Sequence, residues 1–293
     1  MARDALIMAH GFGQDAVTLV PIVAAGDKIL DRALADVGGK ALWTRELDRA
    51  LADGAIDAAV HSMKDVETER PLALTIAAML PRADVRDRLI GAATIAELPR
   101  GARIGTSSPR RTAQILSLRA DVVPVLLRGN VGTRLAKVAN GACDATLLAA
   151  AGLDRLGMAD IGHAIEVETM LPAPQQGAIG IEIRSDDSRA AALLLAINHA
   201  PTLRAVLCER ALLSALGGDC RSPVAALATI GVDDRMTLRA QLYSGDGAAT
   251  ICDSWTEDVT GTSDFASDAR GARALGHRML AAAPAAVAAM FRP

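Results

Sequence analysis

Five arginines in one stretch of the chain have the makings of a trap for an anion. Arg110 and Arg111 follow Ser108 and Pro109 in GTSSPRR, Arg128 and Arg134 lie in LRGNVGTR, and Arg155 closes AGLDR. All five fall at predicted strand ends or helix starts. A guanidinium fork matches a carboxylate or phosphate through two parallel charge-assisted hydrogen bonds, each worth about 1.5–3 kcal/mol when shielded from water. Ser108 reads as a helix cap and Pro109 as the first helical residue, which places Arg110 and Arg111 in a first turn where the helix dipole disfavours cations. Such a penalty, accepted twice in succession, predicts a ligand whose negative charge satisfies both side chains and the free backbone N–H groups. A solvated basic face explains any one of these arginines better than it explains the set.

Two further stretches bear chemistry. HSMKDV puts Lys64 and Asp65 just past the carboxyl end of a predicted buried strand, where open α/β sheets bind ligands. A carboxylate held there can serve as general acid or base, worth about 10²–10⁴ in rate; the alternative is a plain Asp–Lys surface turn. His61, inside the apolar run, reads as a satisfied core histidine. GGDCRSP sets Cys220 in an accessible loop beside Arg221, whose charge should favour the thiolate, so Cys220 is a candidate nucleophile or attachment point. Cys143, Cys208 and Cys252 lie in periodic apolar segments and read as small buried hydrophobes. No CxxC pair or nearby histidine suggests a metal site.

The residues around GGKALW do not make a phosphate loop: Leu34 stands where its first glycine belongs and Ala41 where magnesium would need a hydroxyl. Gly11, Gly13 and Ala16 echo a dinucleotide fingerprint, but no strand precedes them. Lys40 and Trp43 are left as candidates to line a cleft from a Gly38-Gly39 loop.

Hydrophobic patterning supplies the elements that must position these groups. Residues 17–24 (VTLVPIVA) and 56–63 read as strands with a helix over 44–54 between them, and LALTIAAML continues the pattern. Then ARIGTS, DVVPVLL and CDATLLAAA alternate as strands with the helices PRRTAQILSL and VGTRLAKVANG, which predicts mostly parallel sheets with helices on both faces. PAPQQGAIGIEIR ends in a strand that returns the chain to its first domain. After a helix over APTLRAVLCERALLSALGG come three strands, VAALATIGV, MTLRAQLYS and ATICDSWTEDV, and a long helix from about Asp264, the pattern of a small antiparallel α+β domain.

The chain has 293 residues, enough for two or three domains, and 51% of them are hydrophobic. A net charge of −3 with a pI near 6.0 excludes a general nucleic-acid or acidic-membrane binder, and 2% aromatics leave little to stack on bases. Asp4 and His10 interrupt any apolar run at the N-terminus, and the stretch 281–291 is too short to span a bilayer. The expected setting is the cytoplasm, with reduced cysteines.

Taken in order, GDKILD, GGKALWTREL, HSMKDV, GTSSPRR, LRGNVGTRL, AGLDRLG, QQGAIGIE and GGDCRSP resemble the porphobilinogen deaminase (hydroxymethylbilane synthase) family from about Thr18 onward. The resemblance implies an α/β fold of two periplasmic-binding-protein-like domains plus a small C-terminal α+β domain with a three-stranded antiparallel sheet. Domain 1 would take residues 1–80 and 178–196 and carry Asp65; domain 2, residues 81–177, would form the arginine-rich cleft wall; domain 3, residues 197–293, would carry Cys220. It further implies a dipyrromethane cofactor on Cys220 through a thioether, and Asp65 as the acid and base that expels ammonia from porphobilinogen and stabilises an azafulvene. Lys64, Ser108, Arg110, Arg111, Arg128, Arg134 and Arg155 would bind acetate and propionate arms, and Lys40, Trp43 and Gln176 would line the cleft or its loop. Four substrate units would join before hydrolysis releases a linear tetrapyrrole. The implied partner is porphobilinogen, with no nucleic acid, membrane or metal, and the implied state is a monomer.

Three departures stand out. Family members open on a strand with an Arg-x-Ser-x-Leu-Ala-x-x-Gln pattern; nothing before Val17 matches it, so the chain is expected to begin inside the first helix, with a start lying upstream or a form short of one strand. Trp43 stands where the family commonly has Phe, and Gln175 where it commonly has Gly. Two other readings are a non-catalytic carboxylate-binding module of periplasmic-binding type, which leaves Asp65 and Cys220 idle, and a truncated, weakly active deaminase.

Overall fold

The computed structural model describes residues 1–24, 43–258 and 265–291. The chain opens directly on a helix, α1 (Ala2–His10), closed by Gly11 in the left-handed conformation. Helix α2 (Arg45–Ala52) then leads to β1 (Ala59–Ser62), a 3₁₀ turn over Met63–Asp65, and β2 (Leu74–Met79). The next run is β3 (Asp87–Ile90), β4 (Arg103–Thr106), α3 (Pro109–Leu118), β5 (Val123–Leu126), α4 (Val131–Ala139), β6 (Ala145–Ala149), α5 (Ala150–Arg155) and β7 (His163–Ala164). β8 (Ile179–Arg184), α6 (Ser188–Leu195) and α7 (Ala200–Leu216) follow, then β9 (Val224–Ile230), β10 (Arg235–Tyr243), β11 (Thr250–Asp258), α8 (Phe265–Ala282) and α9 (Ala285–Ala288).

These strands form three sheets. The first has the order β1-β8-β2, with β8 antiparallel to both neighbours. The expectation of a mostly parallel sheet fails here. β1 and β2 do share a direction, but the strand that returns from residue 179 enters between them and runs the opposite way. The second sheet, β5-β4-β6-β3-β7, fits the expectation better: β5, β4 and β6 are parallel, while β3 and β7 pair antiparallel along one side. The third is the expected antiparallel trio β11-β10-β9, with its inner face buried against α7 and α8 through Met236, Leu238, Leu242, Leu212, Leu275 and Met279.

Residues 17–24 form no strand. A strand exists only against a partner, and none of the described strands pairs with this run, so Leu19, Val20 and Val23 remain exposed. β1 is also less enclosed than its composition suggested: Ala59 and His61 are buried, but Val60 faces solvent.

The sheets are joined by buried charge. Fully buried Glu209 on α7 accepts both Arg82 guanidinium nitrogens, at 2.8 and 3.0 Å, the Ala228 N–H of β9 at 2.8 Å, and the Gln175 N–H. Gln175 has φ 66, a left-handed conformation that a glycine adopts without strain and that glutamine keeps here under the hydrogen bond from its own N–H to Glu209. In the first sheet, fully buried Glu182 of β8 accepts from Arg70 at 2.8 Å and lies 3.0 Å from His61 Nε2, so His61 is the satisfied core histidine that its apolar surroundings suggested.

Candidate active site

The Asp65 and arginine segments leave the carboxyl ends of strands, and the Cys220 loop follows the helix α7. The 3₁₀ turn after β1 presents Lys64 and Asp65, anchored by Met63, whose N–H donates to Ala178 O at 3.1 Å. Met63 fits only because residue 180 is glycine: a Cβ there would meet its sulfur at 2.2 Å. β4 leads into α3 as expected, with Pro109 at its first turn and Ser108 Oγ accepting the Arg111 N–H at 3.4 Å. β5 leads through Arg128 and Gly129 into α4, capped by Asn130 Oδ1, which accepts from Thr133 at 2.9 Å. Gly129 has φ 119, and a Cβ there would strike Thr133 at 2.6 Å, so this tight entry requires glycine.

The first-turn arginines find their anion inside the protein. Arg110 Nη1 donates to Asp87 Oδ2 at 2.8 Å and to Gln114 Oε1 at 2.9 Å; Arg111 Nη2 donates to Asp87 Oδ1 at 2.6 Å and its Nη1 to Leu147 O at 2.9 Å. Both arginines are buried, and Asp87, on β3, is fully buried. This corrects the expectation that an external ligand satisfies both guanidinium groups: the penalty at the start of α3 is met by one internal carboxylate. Gln176, expected along the cleft, is also buried and serves the same group, its Nε2 donating to Asp87 Oδ1 at 2.9 Å and to Val85 O at 2.8 Å. Burial by itself would raise the Asp87 carboxyl, but Arg110 and Arg111 overcome it and hold Asp87 well below the usual carboxylate range.

One carboxylate cannot balance its surroundings. Burial lowers the Lys64 ammonium, which feels Asp65 in one sense and Arg111 and Arg110 in the other. Burial, reinforced by Arg111 and Arg128, brings Arg134 down to about 10 against the pull of Asp65. Among the described residues, Lys64, Arg110, Arg111, Arg128 and Arg134 therefore share one electrostatic neighbourhood, with Asp65 and Asp87 supplying negative charge within it. Asp65 accepts no hydrogen bond from the described residues. Its charge acts both on Arg134 and on Cys220.

Cys220 is exposed in the loop after α7. The protein mass around its sulfur, together with the charges of Asp219 and Asp65, pushes the thiol up to about 11. The expected help from Arg221 is small because its guanidinium is bound to Asp219, with Nε at 2.9 Å from Oδ2. Cys143 and Cys208 are buried as expected, but Cys252 is exposed: it lies on β11, a strand at the sheet's edge whose exposure alternates.

Not every candidate joins the cluster. Arg155 is exposed at the end of α5, and no contact among the described residues links it to the other cations. Trp43 is half-buried ahead of α2, and Lys40 lies outside the described residues. Sequence reasoning missed Asp87, Glu209, Arg210 and the Arg70–Glu182 pair. The clearest available signal was VRDRLI, where a charged residue occupies an inward position of an alternating strand.

A free thiol in the loop after α7, a carboxylate without a hydrogen-bond partner among the described residues, and a cluster of cations near it form a site of enzyme type. The comparisons make the assignment specific. Residues 2–192 match the family model "Porphobilinogen deaminase, dipyromethane cofactor binding domain" and residues 203–281 match "Porphobilinogen deaminase, C-terminal domain". The chain is 58% identical over 296 residues to the porphobilinogen deaminase of Sphingopyxis alaskensis, covering 99% of this chain and 91% of that one. It is 48% identical to that of Paracoccus denitrificans (85% and 80% covered) and 45% identical to the chloroplastic enzyme of Oryza sativa (96% and 79%). Among solved structures, a periplasmic substrate-binding protein from Coxiella burnetii is similar at 15% identity and a TM-score of 0.40, covering 69% of this chain and 87% of that one. The chain belongs to the porphobilinogen deaminase family.

The site generates two predictions. Asp87→Asn leaves two buried guanidinium groups without a counter-charge and should cost about 3–5 kcal/mol at neutral pH. A carboxyl held down in the fold contributes stability that is full above its unfolded value of 3.8 and is lost as pH falls below it, so urea unfolding should show a steeper acid loss for the unsubstituted protein than for the variant. Equal stability and equal acid slopes would contradict this. For Cys220, iodoacetamide labelling of the unmodified thiol should rise about tenfold per pH unit above neutrality. It should level off near 11, and a plateau at the ordinary 9.0 would contradict the crowding around the sulfur.

Proposed function

We propose that the protein is a hydroxymethylbilane synthase: it condenses four porphobilinogen molecules head to tail, with loss of ammonia, on a primer held by Cys220, and releases the linear tetrapyrrole by hydrolysis. The observation that carries this reading is the place of Asp65, without a hydrogen-bond partner among the described residues, between a free thiol and a cationic wall. The family models take in both the Asp65 turn and the Cys220 loop, which leaves no support for a non-catalytic binding module.

The residues fit a dipyrromethane. Each pyrrole brings an acetate and a propionate, and the clustered cations Lys64, Arg110, Arg111, Arg128 and Arg134 suit such a polyanion. When bound, the dipyrromethane supplies an electron-rich ring carbon fixed in place by one carbon–sulfur bond. In this reading Arg128, Arg134 and Lys64 receive its carboxylates, with Ser108 beside them, while Arg110 and Arg111 act mainly by charge because Asp87 already occupies their forks. Arg155 serves as an outlying contact for a longer chain, Lys40 and Trp43 line or border the cleft, and Gln176 supports the site from within through Asp87. The Asp65 carboxylate accepts a hydrogen bond from the protonated aminomethyl group of porphobilinogen, whose carbon–nitrogen bond breaks with its electron pair leaving on ammonia. Its negative charge then steadies the cationic azafulvene; the free ring carbon at the end of the primer would attack the azafulvene methylene to form the new carbon–carbon bond, and Asp65 accepts the proton that this ring carbon sheds.

The three-domain division expected from sequence, at 1–80 with 178–196, 81–177 and 197–293, suits this reading, because Asp65, the arginine wall and Cys220 each come from a different unit. The setting and state proposed with this reading are the cytoplasm and a monomer, as expected from the family resemblance. Asp65→Asn should lower porphobilinogen consumption by about 10³-fold or more, since both proton transfer and charge stabilisation are lost. Its mass should still show a modified Cys220; turnover near that of the unsubstituted protein would remove Asp65 from this role.

A further inference from the structure

Arg210 on α7 is buried, and its guanidinium reaches three acceptors on two separate segments. Nη1 donates to Gln175 Oε1 at 2.8 Å, and Nη2 donates to the carbonyls of Glu67 at 2.7 Å and Thr68 at 2.8 Å. Thr68 Oγ1 in turn donates to Gly218 O at 3.2 Å. The backbone two residues beyond Asp65 is thus tied to α7 by Arg210, and to the loop carrying Cys220 by Thr68.

All three acceptors are neutral. Burying a guanidinium against neutral oxygens is costly, and a methionine or leucine would fill the same space without that cost. Neither would bond the Glu67 and Thr68 carbonyls, and neither would hold the Gln175 side chain while Glu209 holds its backbone. The geometry therefore serves alignment rather than packing.

We propose that Arg210, acting with Thr68, is a positioning residue that sets the place of Asp65 relative to Cys220 and links that setting to the left-handed Gln175 segment. Its kinetic consequence rests on the deaminase reading; its structural consequence does not. The test uses the full chain with Arg210→Lys, which keeps the charge and loses the fork, and Thr68→Val, which removes the second tether and leaves every Arg210 contact intact. In both variants, amide exchange over residues 63–70 should quicken about tenfold, with exchange in β4 and β6 unchanged. The value of kcat per folded molecule should fall about 10- to 100-fold, and KM for porphobilinogen should stay within about twofold, as expected for misplaced catalytic groups. If Arg210→Lys does not fold, Thr68→Val carries the test alone. Exchange over 63–70 equal to that of the unsubstituted protein, or quickened exchange with unchanged kcat, overturns the proposal. If the unsubstituted protein itself ignores porphobilinogen, the deaminase reading fails, and the exchange data still decide the role of Arg210.

Discussion

One buried carboxylate organises the cleft. Asp87 receives a guanidinium nitrogen from each of two consecutive arginines and an amide hydrogen from Gln176, all without access to water. Without it, two like charges at a helix start, where the dipole is also positive, could not be buried together. With it, the pair is held but not cancelled: one negative charge stands against two positive ones, and Lys64, Arg128 and Arg134 lie in the same electrostatic neighbourhood. The proposed binding of several carboxylates would thus draw on a field fixed by rigid, internally paired groups rather than by flexible surface side chains.

The same principle governs the joints between the sheets. Glu209 and Arg210, adjacent on α7, grip the backbone and the side chain of Gln175 respectively, while Glu209 also holds Arg82 and β9, and Arg210 holds the turn beyond Asp65. The three sheets thus meet through directional, charge-assisted bonds as well as through the apolar clusters around Val206 and around Leu171, Ala113 and Tyr243. The charge-assisted bonds fix angles and distances more narrowly than apolar contact does, and the proposed pairing of Asp65, after β1, with Cys220, after α7, would depend on those distances.

Much of this was legible in the sequence. The α3 start was readable because Ser-Pro-Arg-Arg combines a cap, a preset φ and a helix body; the third sheet was readable because its strands alternate and are separated by clear turns. Asp65 and Cys220 stood out because each breaks an apolar or glycine-rich context. What was hidden depends on tertiary pairing. Nothing local tells that the strand after residue 178 inserts antiparallel between β1 and β2, that residues 17–24 pair with none of the described strands, or that Asp87 lies opposite two arginines more than twenty residues away. The Cys220 thiol misled for the same reason: Arg221 is its sequence neighbour, but in space that guanidinium belongs to Asp219.

The central claim is that a cationic cleft grips the carboxylates of a pyrrole chain tethered to Cys220. It is tested most directly by the mass of the Cys220 peptide from freshly purified protein that turns over porphobilinogen. The account predicts that this peptide is heavier by one dipyrromethane and that Cys220→Ala carries no such adduct anywhere in the chain. Active protein whose Cys220 peptide has the mass of a plain thiol would contradict it.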